Sequence, residues 1–333
     1  MKRFDVAFVG FRHGHIFSLY DRMAQDPRFA IRAVCEENEA ESLLAAHPEI
    51  AVTDTDFDAM LARVKCDIVA IGDYYAKRGS LAIRALRAGR HVISDKPLCT
   101  SLAELDEIEE LSSVRGLEVG CMFELRSAPA FATAREMIRG GKLGKITQIQ
   151  FTAQHPLMRA SRPAWYFEPG KHGGTISDIA VHGIDIIPYL TGLEIGETVA
   201  ARTWQAFDSG CDCFNDAAQF MLKLDNGCGV LGDVSYSAPD SCGYTHPAYW
   251  RFTIWGTKGM IEFNCGADSH VNAWLAGQSE VVRIAPSAAP AEDYLAGFLH
   301  ALAGEPAELD TKRVLRAMRR TLEIQQVADR SAH

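Results

Sequence analysis

The stretch Lys171–Asp185 reads KHGGTISDIAVHGID, and its chemistry-bearing residues are spaced for acid–base work. Asp178 and His182 lie four apart, so on a helix they share one face, and Asp185 follows at spacing three. Histidine is the side chain best suited to take a hydroxyl proton near neutral pH. A carboxylate one turn away can orient the imidazole or raise its pKa. A satisfied His–Asp pair of purely structural use is the alternative. No metal is expected, because spacing supplies no third ligand. A second chemistry-bearing residue is Lys96, in Ser94-Asp-Lys-Pro97. A lysine at the carboxyl end of a parallel strand faces the crevice where doubly wound sheets bind ligands, and Pro97 biases Lys96 toward extended backbone. A surface lysine before a turn is the alternative.

The third constellation is Gly10-Phe-Arg-His-Gly-His15, directly after an apolar run. A dinucleotide loop reads G-x-G-x-x-G, with glycines for the turn and for close approach to a pyrophosphate. Gly10 fits, while Arg12 stands at the second glycine and His15 at the third; Gly14 can do part of the missing work. Arg12 could contact phosphate through charge-assisted hydrogen bonds. A plain strand–helix turn is the other reading. Glu36 closes the next apolar run, where an acid accepts hydrogen bonds from adenosine ribose hydroxyls and repels a 2′-phosphate. This favours NAD over NADP. A solvated acid beside Glu37 and Glu39 is the alternative.

These residues need elements to hold them. Strands are expected at Val6–Val9, Ile31–Cys35, Asp67–Ile71, His91–Ser94 and Leu117–Met122, with helices at Ile16–Met23, Glu39–Ala46, Ser80–Ala88 and Ser101–Ser112 between them. Such alternation implies a parallel sheet covered on both faces. After Phe123 the pattern changes. A helix over Ala130–Arg139 leads into longer strands at Ile146–Ala153, Val199–Ala206, Ala217–Lys223 and Val230–Ser237. Asp225-Asn-Gly227 and Gly256-Thr-Lys-Gly259 mark hairpins. Helices near Asp293–Ala303 and Lys312–Ala328 close the order. The expected class is α/β, with a Rossmann doubly wound sheet over 1–123. A second α/β domain over 124–333 carries a large, mostly antiparallel open sheet for substrate binding and oligomerisation.

The 333 residues exceed one ordinary core, and 47% hydrophobic with 23% charged residues is a globular composition. A net charge of −9 without a basic run speaks against nucleic acid as a partner. Lys312–Arg320, KRVLRAMRR, has apolar residues at helical spacing and reads as a solvated helix face. No apolar run is long enough to span a bilayer, and no signal peptide is evident at the start. The nine cysteines are scattered, and reduced thiols in a cytoplasm account for them most simply. Cys211-Asp-Cys213 is the only close pair and fits no standard zinc or redox motif.

In combination these motifs resemble the glucose–fructose oxidoreductase/inositol dehydrogenase family, Gfo/Idh/MocA. Its A-G-K-H-V-x-x-E-K-P motif corresponds to Ala88-Gly-Arg-His-Val-Ile-Ser-Asp-Lys-Pro97. Its G-G-x-L-x-D-x-G-x-H-x-x-D motif corresponds to Gly173-Gly-Thr-Ile-Ser-Asp-Ile-Ala-Val-His-Gly-Ile-Asp185. Lys142-Leu-Gly-Lys-Ile146 and the Gly256–Gly259 turn also match, so the resemblance covers nearly the whole chain. It implies an NAD(P)-dependent dehydrogenase acting on a hydroxyl of a sugar, polyol or related small molecule. It carries over Lys96, Asp178 and His182 as the catalytic group, and a homodimer or homotetramer built on the open sheet face.

Three departures stand out. The phosphate loop lacks two glycines. The T-P-N-x-x-H segment is replaced by Asp73-Tyr-Tyr-Ala-Lys-Arg78, where Tyr74 and Tyr75 could stack on a cofactor, and Asp95 replaces a glutamate. The expected cofactor contacts are Gly10, Arg12, His13, Gly14, His15, Glu36, Asp73, Tyr74, Lys96 and Pro97. Beyond the catalytic group, substrate contacts are expected from Arg126, His155 and His246, whose side chains suit a polyhydroxylated ligand. Two other functions stay open. One is an NAD-retaining lyase or glycosidase working through transient oxidation. The other is a non-catalytic dinucleotide sensor, which the altered loop favours and the intact Lys96, Asp178 and His182 oppose.

Overall fold

Short runs of β-branched and aliphatic residues in the first third form β1 (Phe4–Val9), β2 (Phe29–Cys35), β3 (Ile68–Ile71), β4 (His91–Ser94) and β5 (Val119–Cys121). The computed structural model describes residues 3–207, 210–266, 270–286 and 292–331. These five strands pair in parallel in the order β2-β1-β3-β4-β5. Every residue of β3 and β5 is buried, as in a sheet covered on both faces. Four helices connect them: α1 (His15–Gln25), α2 (Phe57–Arg63), α3 (Tyr75–Arg87) and α4 (Leu102–Arg115). This is the doubly wound order expected from the alternation.

One connection departs from expectation. No α-helix forms over Glu39–Ala46, where the chain makes two single 3₁₀ turns, Glu39–Glu41 and Leu44–Ala46. Ser42 lies between them, and its hydroxyl accepts the Leu44 amide and contacts the Phe11 carbonyl, which draws the backbone out of a continuous ladder. The helix sits further on as α2, where the Asp56 carboxylate caps the Ala59 amide and Phe57, Met60 and Leu61 turn to the core.

Helix α5 (Pro129–Arg139) introduces the second sheet, built from β6 (Ile146–Pro156), β7 (Ile195–Trp204), β8 (Ala217–Leu224), β9 (Gly229–Ala238), β10 (Arg251–Gly256), β11 (Gly259–Phe263), β12 (Val271–Leu275) and β13 (Val282–Ile284). Its order is β13-β12-β11-β10-β6-β9-β8-β7. All neighbours are antiparallel except β6 and β9, which run parallel. Asn226-Gly227 closes the β8–β9 hairpin, as its sequence expects. One face packs under α5 and α6 (Val181–Thr191) through Phe131, Phe151, Phe220, Phe252 and Phe263. Gly183 is needed there, because a Cβ would stand 2.5 Å from the Phe151 ring. On the other face Met221 and Leu231 are 44% and 46% exposed. They border a shallow hollow of about 400 Å³ shared with Gln150, Arg202, Gln219 and Asp233. Helices α7 (Tyr294–Leu302) and α8 (Thr311–Ser331) end the order.

By contacts the chain forms two units. The first holds Met1–Met122, Pro163–Gly173 and Tyr294–Arg319; the second holds Phe123–Arg162, Gly174–Asp293 and Arg320–His333. Within the first, Phe298 of α7 packs on Gly120 of β5, and the Thr311 hydroxyl accepts the Val119 amide. Within the second, Cys211 and Cys213 are joined by a disulfide, correcting the expectation of reduced thiols throughout. Their Cα atoms lie 5.3 Å apart, inside the span a disulfide bridges. Among the described residues, no helix is long and apolar enough to cross a membrane.

Candidate active site

In the first unit β1 ends at Gly10, whose φ is +75°. A Cβ there would lie 2.7 Å from the Asp73 Cβ, so only glycine lets the β1 turn pass the end of β3. Helix α1 starts at His15, with Gly14 before it and open space where a Gly14 side chain would go. The amides of its first turn lack intrahelical acceptors, the arrangement that suits an anion.

Arg12 replaces the second glycine but is fully buried rather than presented to a phosphate. Its guanidinium pairs with Glu36 at 2.7 Å, with Asp73 at very short range and with Glu41 at 3.5 Å. Its terminal nitrogen also donates to the Asn38 carbonyl. Glu36 is equally committed: one oxygen accepts the Phe11 amide at 2.9 Å and the other the Asn38 amide at 3.2 Å. Burial pushes the Glu36 carboxyl up, and Arg12 pulls it back down. The residues expected to meet a phosphate and a ribose thus spend their charges on each other. A buried guanidinium needs carboxylates, and Glu36, Glu41 and Asp73 are the ones in reach. The Asp73 carboxylate also accepts the Tyr74 amide just ahead of α3. Tyr74 is partly exposed, with Lys171 5.0 Å from its ring centre. Tyr75 is buried instead, its hydroxyl 2.5 Å from that of Tyr166 and 3.2 Å from His13 Nε2. Trp165 donates its indole N–H to the Arg12 carbonyl.

Lys96 is also in this unit and nearly buried, with its ammonium 5.7 Å from the Tyr75 ring centre. Arg78, which sequence reasoning passed over, holds the turn that carries it. Its guanidinium donates to the carbonyls of Asp73, Lys96 and Pro97 and to the Asp95 carboxylate. Asp95 in turn meets His13 Nδ1 at 2.5 Å and His15 Nδ1 at 3.3 Å. Burial drives the His13 imidazole down to about 3, against the pull of Asp95. Burial also works to raise the Asp95 carboxyl, but Arg78, His13 and His15 together hold it well below the usual carboxylate range.

In the second unit Asp178 and His182 are both buried, at 3% and 7% exposure. The helix that carries them is not uniform. Ile176–Ala180 winds as a π-helix and passes into α6 at Val181. Wide turns of this kind are rare and recur at functional sites. The start of the π segment is capped from a distance: Gln325 Oε1 of α8 accepts the Ile176 and Ser177 amides at 3.0 and 3.3 Å. Gly174 sits at φ +100°, a backbone conformation that side chains rarely adopt, and lies directly against that amide group. Asp178 accepts a very short hydrogen bond from the Tyr236 hydroxyl on β9. The His182 ring stands edge-on to Trp250 at 5.5 Å and to Phe123 at 6.3 Å. Trp250 has φ +50°, a genuine outlier for a bulky side chain, and backbone strain of this kind clusters at functional sites.

Of the expected substrate contacts, Arg126 is placed otherwise. It is buried, and its Nε and a terminal nitrogen grip Asp185 at 2.8 and 2.5 Å, which ties the turn Glu124–Ser127 to α6. The motif's last acid therefore anchors α6 rather than facing a ligand. His155 is half-buried, its ring within 6.3 Å of those of Tyr236, Tyr244, Tyr249 and Trp250. His246 lies at the edge of that cluster, 6.3 Å from Tyr249. Tyr236 and Gln325 had no separate signal in the sequence: each acts on the motif from an element far along the chain.

Comparison with known proteins bears on this arrangement. Residues 4–122 match the family described as oxidoreductases with an NAD-binding Rossmann fold, and residues 131–262 match the GFO/IDH/MocA C-terminal domain. Levoglucosan dehydrogenase of Pseudarthrobacter phenanthrenivorans is 26% identical over 66% of this chain and 63% of its own length. The NAD⁺-dependent scyllo-inositol 2-dehydrogenase of Bacillus subtilis is 28% identical over 62% of this chain and 57% of its own. An oxidoreductase of Schizosaccharomyces pombe is 28% identical over 69% of this chain and 60% of its own. These matches thus span about three fifths of the relatives' length. Among solved structures, an inositol dehydrogenase homologue of Azotobacter vinelandii, complexed with NAD⁺, superposes with a TM-score of 0.80 at 18% identity, covering 100% of this chain and 97% of that one. Aldose–aldose oxidoreductase of Caulobacter crescentus gives 0.78 at 19%, covering 99% and 98%. At such identities these two speak for the fold.

Proposed function

This chain belongs to the Gfo/Idh/MocA family of oxidoreductases, and we propose that it moves a hydride between a nicotinamide dinucleotide, NAD rather than NADP, and a hydroxyl-bearing carbon of a sugar, polyol or related small molecule. The observation that carries this reading is the buried pair on one helical stretch of the second unit, Asp178 under the Tyr236 hydroxyl and His182 against Trp250. A buried acid and a buried imidazole both kept at motif positions are expected of an enzyme rather than of a sensor.

The first unit fits a dinucleotide by its own geometry. Gly10 leaves a cradle that a side chain would fill, and the N-terminus of α1 follows it. The loop from Gly10 to His15 and Glu36 would hold the dinucleotide. The charge of Arg12 is already committed to carboxylates, so a 2′-phosphate beside Glu36 would meet the Glu36 carboxylate without a guanidinium to receive it. When bound, the nicotinamide supplies the hydride acceptor or donor. The chain's own part is position and proton transfer. His182 takes the proton of the substrate hydroxyl on an imidazole nitrogen. Lys96 keeps a positive charge for the alkoxide that develops. Asp178, held by Tyr236, fixes the hydroxyl or the imidazole that shares the proton. A second copy of the chain covers the exposed face at Met221 and Leu231, giving a homodimer or homotetramer.

The test is a screen of sugars and polyols with NAD⁺ and NADP⁺, read by nicotinamide absorbance, together with mass spectrometry of any dinucleotide that co-purifies. Turnover with NAD⁺ on a polyhydroxylated substrate is the expected result. Substrate consumption without net cofactor reduction would point to a cofactor-retaining lyase or glycosidase. Absence of both dinucleotide binding and turnover would overturn the reading.

A further inference from the structure

Two histidines of the loop, His13 and His15, the second at a motif glycine position, converge on one carboxylate. We propose that His13, His15 and Asp95 form a binding site for a single late first-row divalent metal ion such as Zn²⁺. Their donor atoms all lie within 4.8 Å of one another, inside the first unit. His15 Nδ1 and Asp95 Oδ1 are 3.3 Å apart, close to the edge of a tetrahedron around zinc at bond lengths of about 2.0–2.2 Å.

A second observation separates this cluster from a chance grouping. Asp95 is completely buried, yet its Oδ1 has no hydrogen-bond partner among the described residues, and neither has the buried Nδ1 of His15. The two atoms approach each other at 3.3 Å, inside ion-pair range but without hydrogen-bond geometry. A buried polar atom left without a hydrogen bond is costly.

The surroundings have the form of an outer shell. A ligating histidine normally engages its other nitrogen, and His13 Nε2 lies 3.2 Å from the Tyr75 hydroxyl, which is 2.5 Å from that of Tyr166. A ligating carboxylate is itself hydrogen-bonded, and Asp95 Oδ2 accepts from Arg78 at 3.0 Å. Two imidazoles and one carboxylate select Zn²⁺, Co²⁺ or Ni²⁺ over the oxygen-seeking Mg²⁺ and Ca²⁺. Three protein ligands leave at least one position open for water or an anionic oxygen. The proposal does not depend on hydride transfer.

The whole chain, stripped with a chelator and dialysed, is titrated with Zn²⁺ in a calorimeter and with Co²⁺ by visible absorption. One ion per chain and cobalt d–d bands of low coordination number are expected. His15→Ala should weaken binding at least tenfold and abolish the bands; its side chain is 37% exposed, which favours a folded variant. His47→Ala, on a ring that stacks against Phe17 outside the cluster, should leave both unchanged. Absence of one-to-one binding by the wild-type chain overturns the proposal without any variant. So does binding that His15→Ala leaves intact, or that His47→Ala weakens equally.

Discussion

The Gly10 loop of the first unit and the Gly173–Asp185 segment of the second treat their motifs in opposite ways. The loop has lost the letters of its motif and rebuilt the position from charge. Arg12 stands where a glycine is usual, and Glu36, Glu41 and Asp73 neutralise it. The second segment has kept its letters and depends on residues outside them: Tyr236 for Asp178, Trp250 for His182, Gln325 for the helix start and Arg126 for Asp185. Departure from a motif therefore does not mean a loose site, and fidelity to a motif does not mean a self-sufficient one. The loop's shape is held locally, while the segment's is held from a distance.

If that contrast is right, a change in the second segment should strike turnover, and a change in the loop should strike stability. The largest effect is expected for His182→Ala. Removal of a placed general base should lower kcat by about 10²–10⁴ while dinucleotide affinity, followed by calorimetry, stays within a few-fold. Its pH–rate profile should also lose the acid limb of the wild type. Near-normal turnover on the true substrate would remove His182 from the chemistry. Next comes Arg12→Met, which leaves three carboxylates around a vacated buried charge. It should destabilise the chain by about 3–5 kcal/mol in urea unfolding. A variant as stable as wild type would show that the loop does not rest on the pair with Glu36.

A sharper cut is Tyr236→Phe, which deletes one hydroxyl and keeps the ring. Loss of a hydrogen bond to a charged group is worth about 1.5–3 kcal/mol, so kcat should fall roughly ten- to a hundredfold with KM moving less. An unchanged kcat would reduce Tyr236 to packing. The smallest effect is expected on the open sheet face. Leu231→Glu buries a charge only if a second copy covers that face, and it should shift the sedimentation coefficient toward that of a monomer at micromolar concentration. A monomeric wild type would overturn the proposed assembly.

The outline of this division was legible beforehand. Strand–helix alternation gives the parallel sheet, and Asn226-Gly227 and Gly256–Gly259 give the hairpins of the other, because periodicity and turn chemistry are local. Lys96, Asp178 and His182 stand out through their motifs as the residues with chemistry to offer. What could not be read depends on pairs distant along the chain. Nothing near Arg12 announces Asp73, and nothing near Arg126 announces Asp185, so both arginines were expected to meet ligands. The helix expected over Glu39–Ala46 failed for a local reason, the Ser42 hydroxyl competing for the backbone. Helix α2 is legible in Asp56 as a cap ahead of Phe57, Met60 and Leu61 at helical spacing. The φ of Trp250 is set by tertiary packing, which no spacing rule reports, whereas the Cys211–Cys213 disulfide joins two residues only two apart.

The return of the chain after residue 294 has a consequence for biosynthesis. Phe298 and Thr311 complete the first unit at β5, and Gln325 completes the second at the π-helix. A ribosome delivers these residues after the strands and loops they finish. Vectorial synthesis favours early folding of whatever precedes, yet here neither half can close its last contacts until the late segment has emerged. A transcript cut short before codon 325 would thus yield a helix start without its cap, however intact the motifs ahead of it. The nascent chain waits on its last helices, and both halves mature together.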